Sequence, residues 1–188
     1  MMPFLHSKPR WHLLPRFFFH PPFMILIILL IIILILINIP FFPMLVLTDG
    51  QTDQVLERFS LQNNNKFSIL YIHSIHRTPV QEFYHVDKQL NIVLDKVIFE
   101  SYGVGIPSEI ENGEKFKIEN GKFILDSIHR VFPYFDQRVG QVIANHKLLI
   151  QNKELPLSKL TVPGHWIRFE ATKSNLVQWI KGRDRNES

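Results

Sequence analysis

Residues 23–39 form an almost unbroken run of Ile and Leu in which Asn38 is the single polar position. Beyond this run the pattern changes to short apolar stretches that alternate with polar residues. A continuous apolar segment of about 17 residues makes a helix roughly 25 Å long, at the short end of what crosses a bilayer core. Each central Leu or Ile favours insertion by roughly 0.3 to 0.6 kcal/mol, so the run outweighs an Asn close to an interface. Pro21-Pro22 suits the helix start, where a missing N–H costs nothing, and Pro40 and Pro43 suit its end.

The remainder predicts strands and turns. Phe67, Ile69, Tyr71 and His73 alternate with Ser68, Leu70, Ile72 and Ser74, a period of two in β-favouring residues. Ile92, Leu94 and Ile98 alternate with Val93, Val97 and Phe99, which predicts a central strand that is apolar on both faces. Further strands are expected at 44–48, 55–59, 81–87, 115–119, 123–125, 138–150 (bent or split) and 166–169. Asp49-Gly50, Asn112-Gly113 and Asn120-Gly121 lie between extended runs and accept the positive φ of tight hairpin turns. In residues 174–182, Leu176, Val177, Trp179 and Ile180 have helical spacing, read as a short helix on the sheet or, alternatively, a strand end. The numerous aromatic residues fall at strand spacing, as core packing requires. These patterns predict an all-β fold, a small antiparallel β-sandwich or barrel-like domain after one N-terminal transmembrane helix. The segments are a basic N-terminus (1–22), a membrane anchor (23–39), a β domain (44–172), and a short helix with a polar tail (173–188).

Charge sets the expected topology. Lys8, Arg10 and Arg16 precede the apolar run without any acid, so the N-terminus is expected in the cytoplasm and the β domain outside it. The same three residues supply most of the net charge of +4, so the basic balance reflects topology and implies no nucleic-acid partner. A cleaved signal peptide is the rival reading. The run exceeds the usual 7–15-residue apolar core, and residues 8–47 contain no Ala, Gly, Ser, Thr or Cys to form a small-x-small cleavage site. An uncleaved signal anchor in the cell membrane is therefore expected. With no Cys there are no disulfide staples or thiolate ligands, and a core alone must hold the domain together. Few residues separate Ile39 from the strand expected at Met44, so the domain is expected to work close to the membrane surface.

The densest polar cluster lies at 71–82, where a strand end, a Pro-containing turn and the next strand put imidazoles, hydroxyls and a carboxylate on one loop. Three chemistries compete for it. His73, His76 and Glu82, with His85 or His146, have the donor types of a metal site, but His-x-x-His alone lacks a complete ligand spacing. Ser74 or Thr78 with a His base and Glu82 would be a nucleophilic arrangement, yet no Gly-x-Ser-x-Gly elbow exists. In the plainest reading Ser, Thr and His satisfy backbone groups in a turn while Glu82 pairs with Arg77 or a His. Gly103 and Gly105 lack the third Gly and the following helix of a phosphate loop, so a bulge or tight corner is expected there. His129 and His165 read as ordinary surface or turn residues.

Tyr71-x-His73-Ser74-x-x-x-Thr78-Pro79-Val80-x-Glu82, then Phe99-x-Ser101-x-Gly103-x-Gly105-x-Pro107, then Val139-Gly140 leading to Asn145-His146-x-Leu148 together resemble a bacterial family known as domain of unknown function 1850. The resemblance spans about residues 45–169. It implies a small exported or anchored protein, often encoded beside the permeases and solute receptors of TAXI-type TRAP uptake transporters, with no activity assigned. It directs attention to His73, Ser74, Thr78, Pro79, Glu82, Gly103, Gly105 and His146 without giving them roles. The function expected is a non-enzymatic accessory or binding component beside such a transporter. His73, Ser74, Thr78, Glu82, Gly103, Gly105 and His146 would form a contact patch for an anionic solute or partner, with no cofactor implied. The alternatives are a metal-dependent hydrolase using His73, His76, Glu82 and His146, or a structural envelope protein.

Overall fold

The apolar run folds as one helix, α1 (Pro21–Asn38), in a computed structural model that describes residues 21–101, 113–140 and 144–187. Its 18 residues are long and apolar enough to cross a membrane, a test that a signal sequence also passes. No acidic residue stands in its first turn and no basic one in its last, and none of its side chains is buried. Apolar residues all round the helix are what a lipid environment requires. Asn38, the polar interruption, donates its side-chain N–H to Leu34 O at 2.8 Å, so its amide is partly satisfied within the helix itself.

The second unit begins at Pro40 and is built from strands in two antiparallel sheets. The smaller sheet runs β2 (Val55–Ser60), β1 (Phe42–Asp49), β12 (Trp166–Ser174), β9 (Tyr134–Arg138). The larger runs β11 (Lys153–Pro156), β10 (Lys147–Ile150), β3 (Lys66–Ile72), β4 (Pro79–Val86), β5 (Ile92–Phe99), β7 (Lys122–Asp126), β6 (Lys115–Glu119), with β8 (Arg130–Phe132) pairing β5 beside β7. Neither sheet closes on itself, so the barrel-like alternative gives way to two sheets that share one core. Leu45, Leu47, Ile167 and Phe169 from the smaller sheet meet Phe67, Ile69, Val80 and Leu148 from the larger, all buried in a single cluster.

Four rings pin the two layers together. Phe169 stacks on Phe135, Phe135 on Tyr84, Tyr84 on Phe67 and Phe67 on Phe169, with centroids 4.9 to 6.1 Å apart and interplanar angles of 15° or less. Such pairs contribute about 0.5–1.5 kcal/mol each beyond the area they bury.

The outer face of the smaller sheet, where Met44 is fully buried, is covered by α2 (Leu176–Glu187). Asn175 caps this helix reciprocally: Gln178 N–H donates to Asn175 Oδ1 at 2.9 Å, and Asn175 N–H to Gln178 Oε1 at 3.2 Å. Trp179 stacks on Phe42 at 4.9 Å and donates its indole N–H to Ser60 Oγ at 3.2 Å. At Gly182 the helix runs so close to the sheet that a Cβ would come within 2.6 Å of Met44 Cε and 3.0 Å of Arg58 O. Of the stretch 174–182, Ser174 ends β12 and the residues from Leu176 onward are helical, and the helix continues past Gly182.

The structure decides three local expectations. The first is β5. Phe83 pairs with Lys96 and Tyr84 with Leu94, so Asp95 is an extra residue in a β-bulge. The bulge flips the side-chain phase: Ile92 and Leu94 face the core before it, Val97 and Phe99 after it, and Ile98 is turned out of the core cluster. Second, residues 138–150 take the split form of the two that the sequence left open, because β9 ends at Arg138 in the smaller sheet and β10 starts at Lys147 in the larger. Third, Asp49-Gly50 makes no two-residue hairpin turn, since positive φ falls on Asp53 (56°) and Gly50 serves a close approach instead. Asn120 (φ 50°) and Gly121 (φ 76°) do form the tight β6–β7 turn that their dipeptide predicts.

Candidate functional site

Strand direction brings the singled-out polar residues to one end of the sandwich. Ile72 at the end of β3 pairs with Pro79, and Leu70 pairs with Lys147 at the start of β10. The 73–78 loop, Ser101 and the approach to His146 therefore lie at the same end of the larger sheet. In the smaller sheet Asp49 pairs with Ile167, far along β1 from Phe42, where the domain begins.

The 73–78 loop is held by its own backbone. His73 N–H donates to Thr78 O (2.9 Å) and Arg77 N–H to His73 O (2.8 Å), with Arg77 at φ 55°. His73 Nδ1 accepts from the backbone N–H groups of Ile75 (3.3 Å) and His76 (3.4 Å), and its ring lies 5.1 Å from that of His76. Ser74 is exposed. Thr78 and Ser101 share a hydroxyl hydrogen bond of 2.8 Å. Gly103 and Gly105 lie outside the described residues.

Glu82 is placed quite differently from these groups. It pairs with Ile69 across the β3–β4 ladder and shares the inward face of β4 with Val80 and Tyr84. The expected pairing with Arg77 or a His is replaced by two phenols. Tyr84 donates to one carboxylate oxygen at 2.7 Å and Tyr71 to the other at 3.3 Å. Burial pushes the Glu82 carboxyl above its ordinary value, and the two hydroxyls pull it back. Burial, followed by the charge of Glu82, pushes both phenols well above theirs. At neutral pH both tyrosines are therefore donors only toward Glu82, and each carboxylate oxygen keeps capacity for a further donor.

His146 completes this group through Tyr71, the two rings standing 5.1 Å apart. Its backbone carbonyl accepts from Leu157 N–H at 2.8 Å, at the start of the 3-10 turn Leu157–Lys159. Gly140 N–H donates to His146 Nδ1 at 3.3 Å, which puts the proton of the neutral ring on Nε2. Burial lowers its pKa to about 4, so the ring is neutral at physiological pH. His73 and His76 thus form one ring pair and His146 another with Tyr71, so these three candidate ligands do not form one cluster. Among the described residues, no group of three or more His, Asp or Glu side chains is placed to hold a metal ion.

Asp49 is a second polar centre at this end that the sequence reading missed. Its buried carboxylate accepts from the backbone of Gln51 (2.9 Å) and Thr52 (3.0 Å), from the Thr161 hydroxyl, and from His165 Nδ1 at 3.3 Å. The Thr161 hydroxyl, chiefly, holds its carboxyl well below the usual range, against the opposing effect of burial. His165 is therefore no ordinary surface residue, because it helps tie the β1–β2 turn to the segment that leads into β12. A pattern did point to the tyrosines. Glu82-x-Tyr84 and the period-two row Phe67, Ile69, Tyr71 put all three polar heads on facing strands of one sheet face.

No curated protein and no solved structure matches the chain. Residues 67–157 match the model of a family described as a domain of unknown function (DUF1850), a span that runs from β3 into the 3-10 turn and omits β1, β2 and β12. It contains Tyr71, Glu82, Tyr84 and His146, and over it the chain resembles the DUF1850 family, as its motifs indicate.

Proposed function

We propose that this protein is held in the cell membrane by α1, with its sandwich on the outer side, and acts as a non-enzymatic accessory or binding component of a solute transporter of the TRAP/TAXI kind. The observation that carries the proposal is the join between the two units. An 18-residue helix without a charge ends at Asn38, and the first strand begins at Phe42, so only residues 39–41 connect them. Such a leash reaches about 14 Å and keeps the sandwich at the bilayer surface, where a permease stands. The basic flank at Lys8, Arg10 and Arg16 supports the cytoplasmic placement of the N-terminus.

Binding is favoured over catalysis by how the polar groups are engaged. Glu82 is taken by two phenols, His73 Nδ1 by backbone N–H groups, and Thr78 by Ser101. The loop end, with Tyr71, Glu82 and His146 behind it, is the surface assigned to the solute receptor or solute. The test is to purify the full chain in mild detergent and to measure solute uptake in cells lacking it. Co-purification of a permease or solute receptor, with lowered uptake, is expected. Undiminished uptake with no partner recovered would defeat the transporter role. A mature form shed into the medium without its first forty or so residues would defeat the anchor.

A further inference from the structure

The end of the sandwich opposite the loops carries a second feature. A groove of about 1050 Å³ opens where the chain passes into the domain, walled by Phe41, Pro43, Leu61 and Leu90 and edged by Lys88 and Lys173. Phe41 is 72% exposed although its backbone is fixed, its N–H donating to Ser174 O at 3.1 Å. An aromatic ring held in place with most of its surface bare is a costly arrangement in water and a favourable one at a membrane interface.

The groove also has a sign. Both lysines are exposed, and they outnumber the one acid among its lining residues, Asp87, which keeps its charge and leaves a net positive balance. The Asp87 carboxylate accepts from the backbone N–H groups of Gln89 (2.9 Å) and Asn91 (2.8 Å) and from the Asn91 side chain (3.1 Å). The other titratable group there, His85, is paired with Asp95 at 2.7 Å.

We propose that this groove takes the headgroup of an anionic phospholipid from the bilayer. The inference rests on the reading of α1 as a membrane anchor. Phe41 stands three residues beyond Asn38, so covalent geometry keeps it within about 11 Å of the helix end whatever the angle between helix and sandwich. That upper limit exceeds the headgroup layer of one leaflet, roughly 5–7 Å deep, by only a few Å, so the ring stays at or just above it. Phe41, Pro43, Leu61 and Leu90 would lie against the glycerol and upper acyl carbons, with the phosphate between Lys88 and Lys173. Each lysine near an anionic surface is worth roughly a fivefold change in occupancy, so the pair shifts the docked-to-free ratio by about 25-fold.

The chain has no Cys, so Gln89→Cys in the full-length protein gives one site for a spin label at the groove rim. The labelled protein is placed in nanodiscs of phosphatidylcholine alone and of phosphatidylcholine with phosphatidylglycerol. Collision with a water-soluble nickel chelate is compared with collision with oxygen. The expected result is a marked loss of nickel access on adding phosphatidylglycerol, reversed by high salt and abolished by Lys88→Glu with Lys173→Glu. Equal access in both lipids, or a change that survives both salt and charge reversal, overturns the proposal. The salt arm keeps both lysines in place and decides the matter even if the double variant folds poorly. Failure of the protein to stay in the discs through an alkaline wash would instead defeat the anchor reading itself.

Discussion

Replacing Tyr84 by Phe removes one hydroxyl and leaves the ring in its four-membered stack. That hydroxyl is 2.7 Å from Glu82, against 3.3 Å for the hydroxyl of Tyr71. A hydrogen bond to a charged acceptor is worth about 1.5–3 kcal/mol, and a weaker one about 1 kcal/mol. Tyr84→Phe should therefore cost about 2 kcal/mol and Tyr71→Phe about half of that. With a urea slope near 2 kcal/mol/M for a domain of this size, the midpoint falls by about 1 M at unchanged slope. The pH dependence gives a stricter check. Burial raises the Glu82 carboxyl in the folded state, so its contribution to stability declines as pH climbs from the ordinary carboxylate value to the folded one. Tyr84 offsets part of that decline by favouring the ionised form. The Tyr84→Phe penalty should thus be small in acid, where Glu82 is protonated in both states, and grow as Glu82 ionises. Urea melts of the full chain in detergent across that range measure it. A penalty that is negligible, or the same at every pH, would refute the phenol–carboxylate clamp.

His146 has a folded pKa lowered to about 4 from an ordinary value near 6.5, so folding opposes its protonation. Acidification through that window should lower stability, by less than the full shift implies because solvent screens the half-buried ring, and a ring resonance titrating near pH 6.5 would contradict the burial. For Asp49 the sign comes from a lowered carboxyl: its stabilisation is complete above the ordinary carboxylate range and fades as pH falls below it. Asp49→Asn should flatten the acid limb of the stability curve and cost about 1–3 kcal/mol at neutral pH by urea melts. At Gly50 an added Cβ would lie 1.7 Å from Trp166 Nε1. Gly50→Ala should lower stability by about 1–3 kcal/mol and alter the near-UV signal of Trp166, and an unaffected protein would exclude the indole from that position. Trp179→Ala should cost about 3 kcal/mol and raise hydrogen exchange along α2, with unchanged protection as the refuting result.

Much of the architecture is legible in the chain because its signals are local. The Asn120-Gly121 turn needs two positive φ angles, and few other dipeptides supply them as readily. The uncharged run at α1 and the alternation at Phe67, Ile69 and Tyr71 are just as direct. What escapes is what depends on a partner strand. Asp95 looks, with Lys96, like a short polar break in an apolar strand, and only its register against Phe83 and Tyr84 reveals a bulge. Strands β8 and β11 are three and four residues long, too short for alternation to register. The candidate site divides in the same way. The 73–78 loop is where its Pro and polar residues predict, but the partners of Glu82 are decided by which strand faces which, and a buried carboxylate takes the nearest donors whatever their kind.

The four-ring stack has a mechanical consequence. Phe67 and Tyr84 belong to one sheet, Phe135 and Phe169 to the other, and near-parallel faces slide only by losing several contacts together. The two layers therefore resist shear at that point as a bolted joint does. Tyr84 belongs both to that joint and to the clamp on Glu82, so the carboxylate inherits its stiffness. Under the proposed binding role, a molecule arriving at the loops would meet an acceptor of fixed aim, and any adaptation to it would come from the loops.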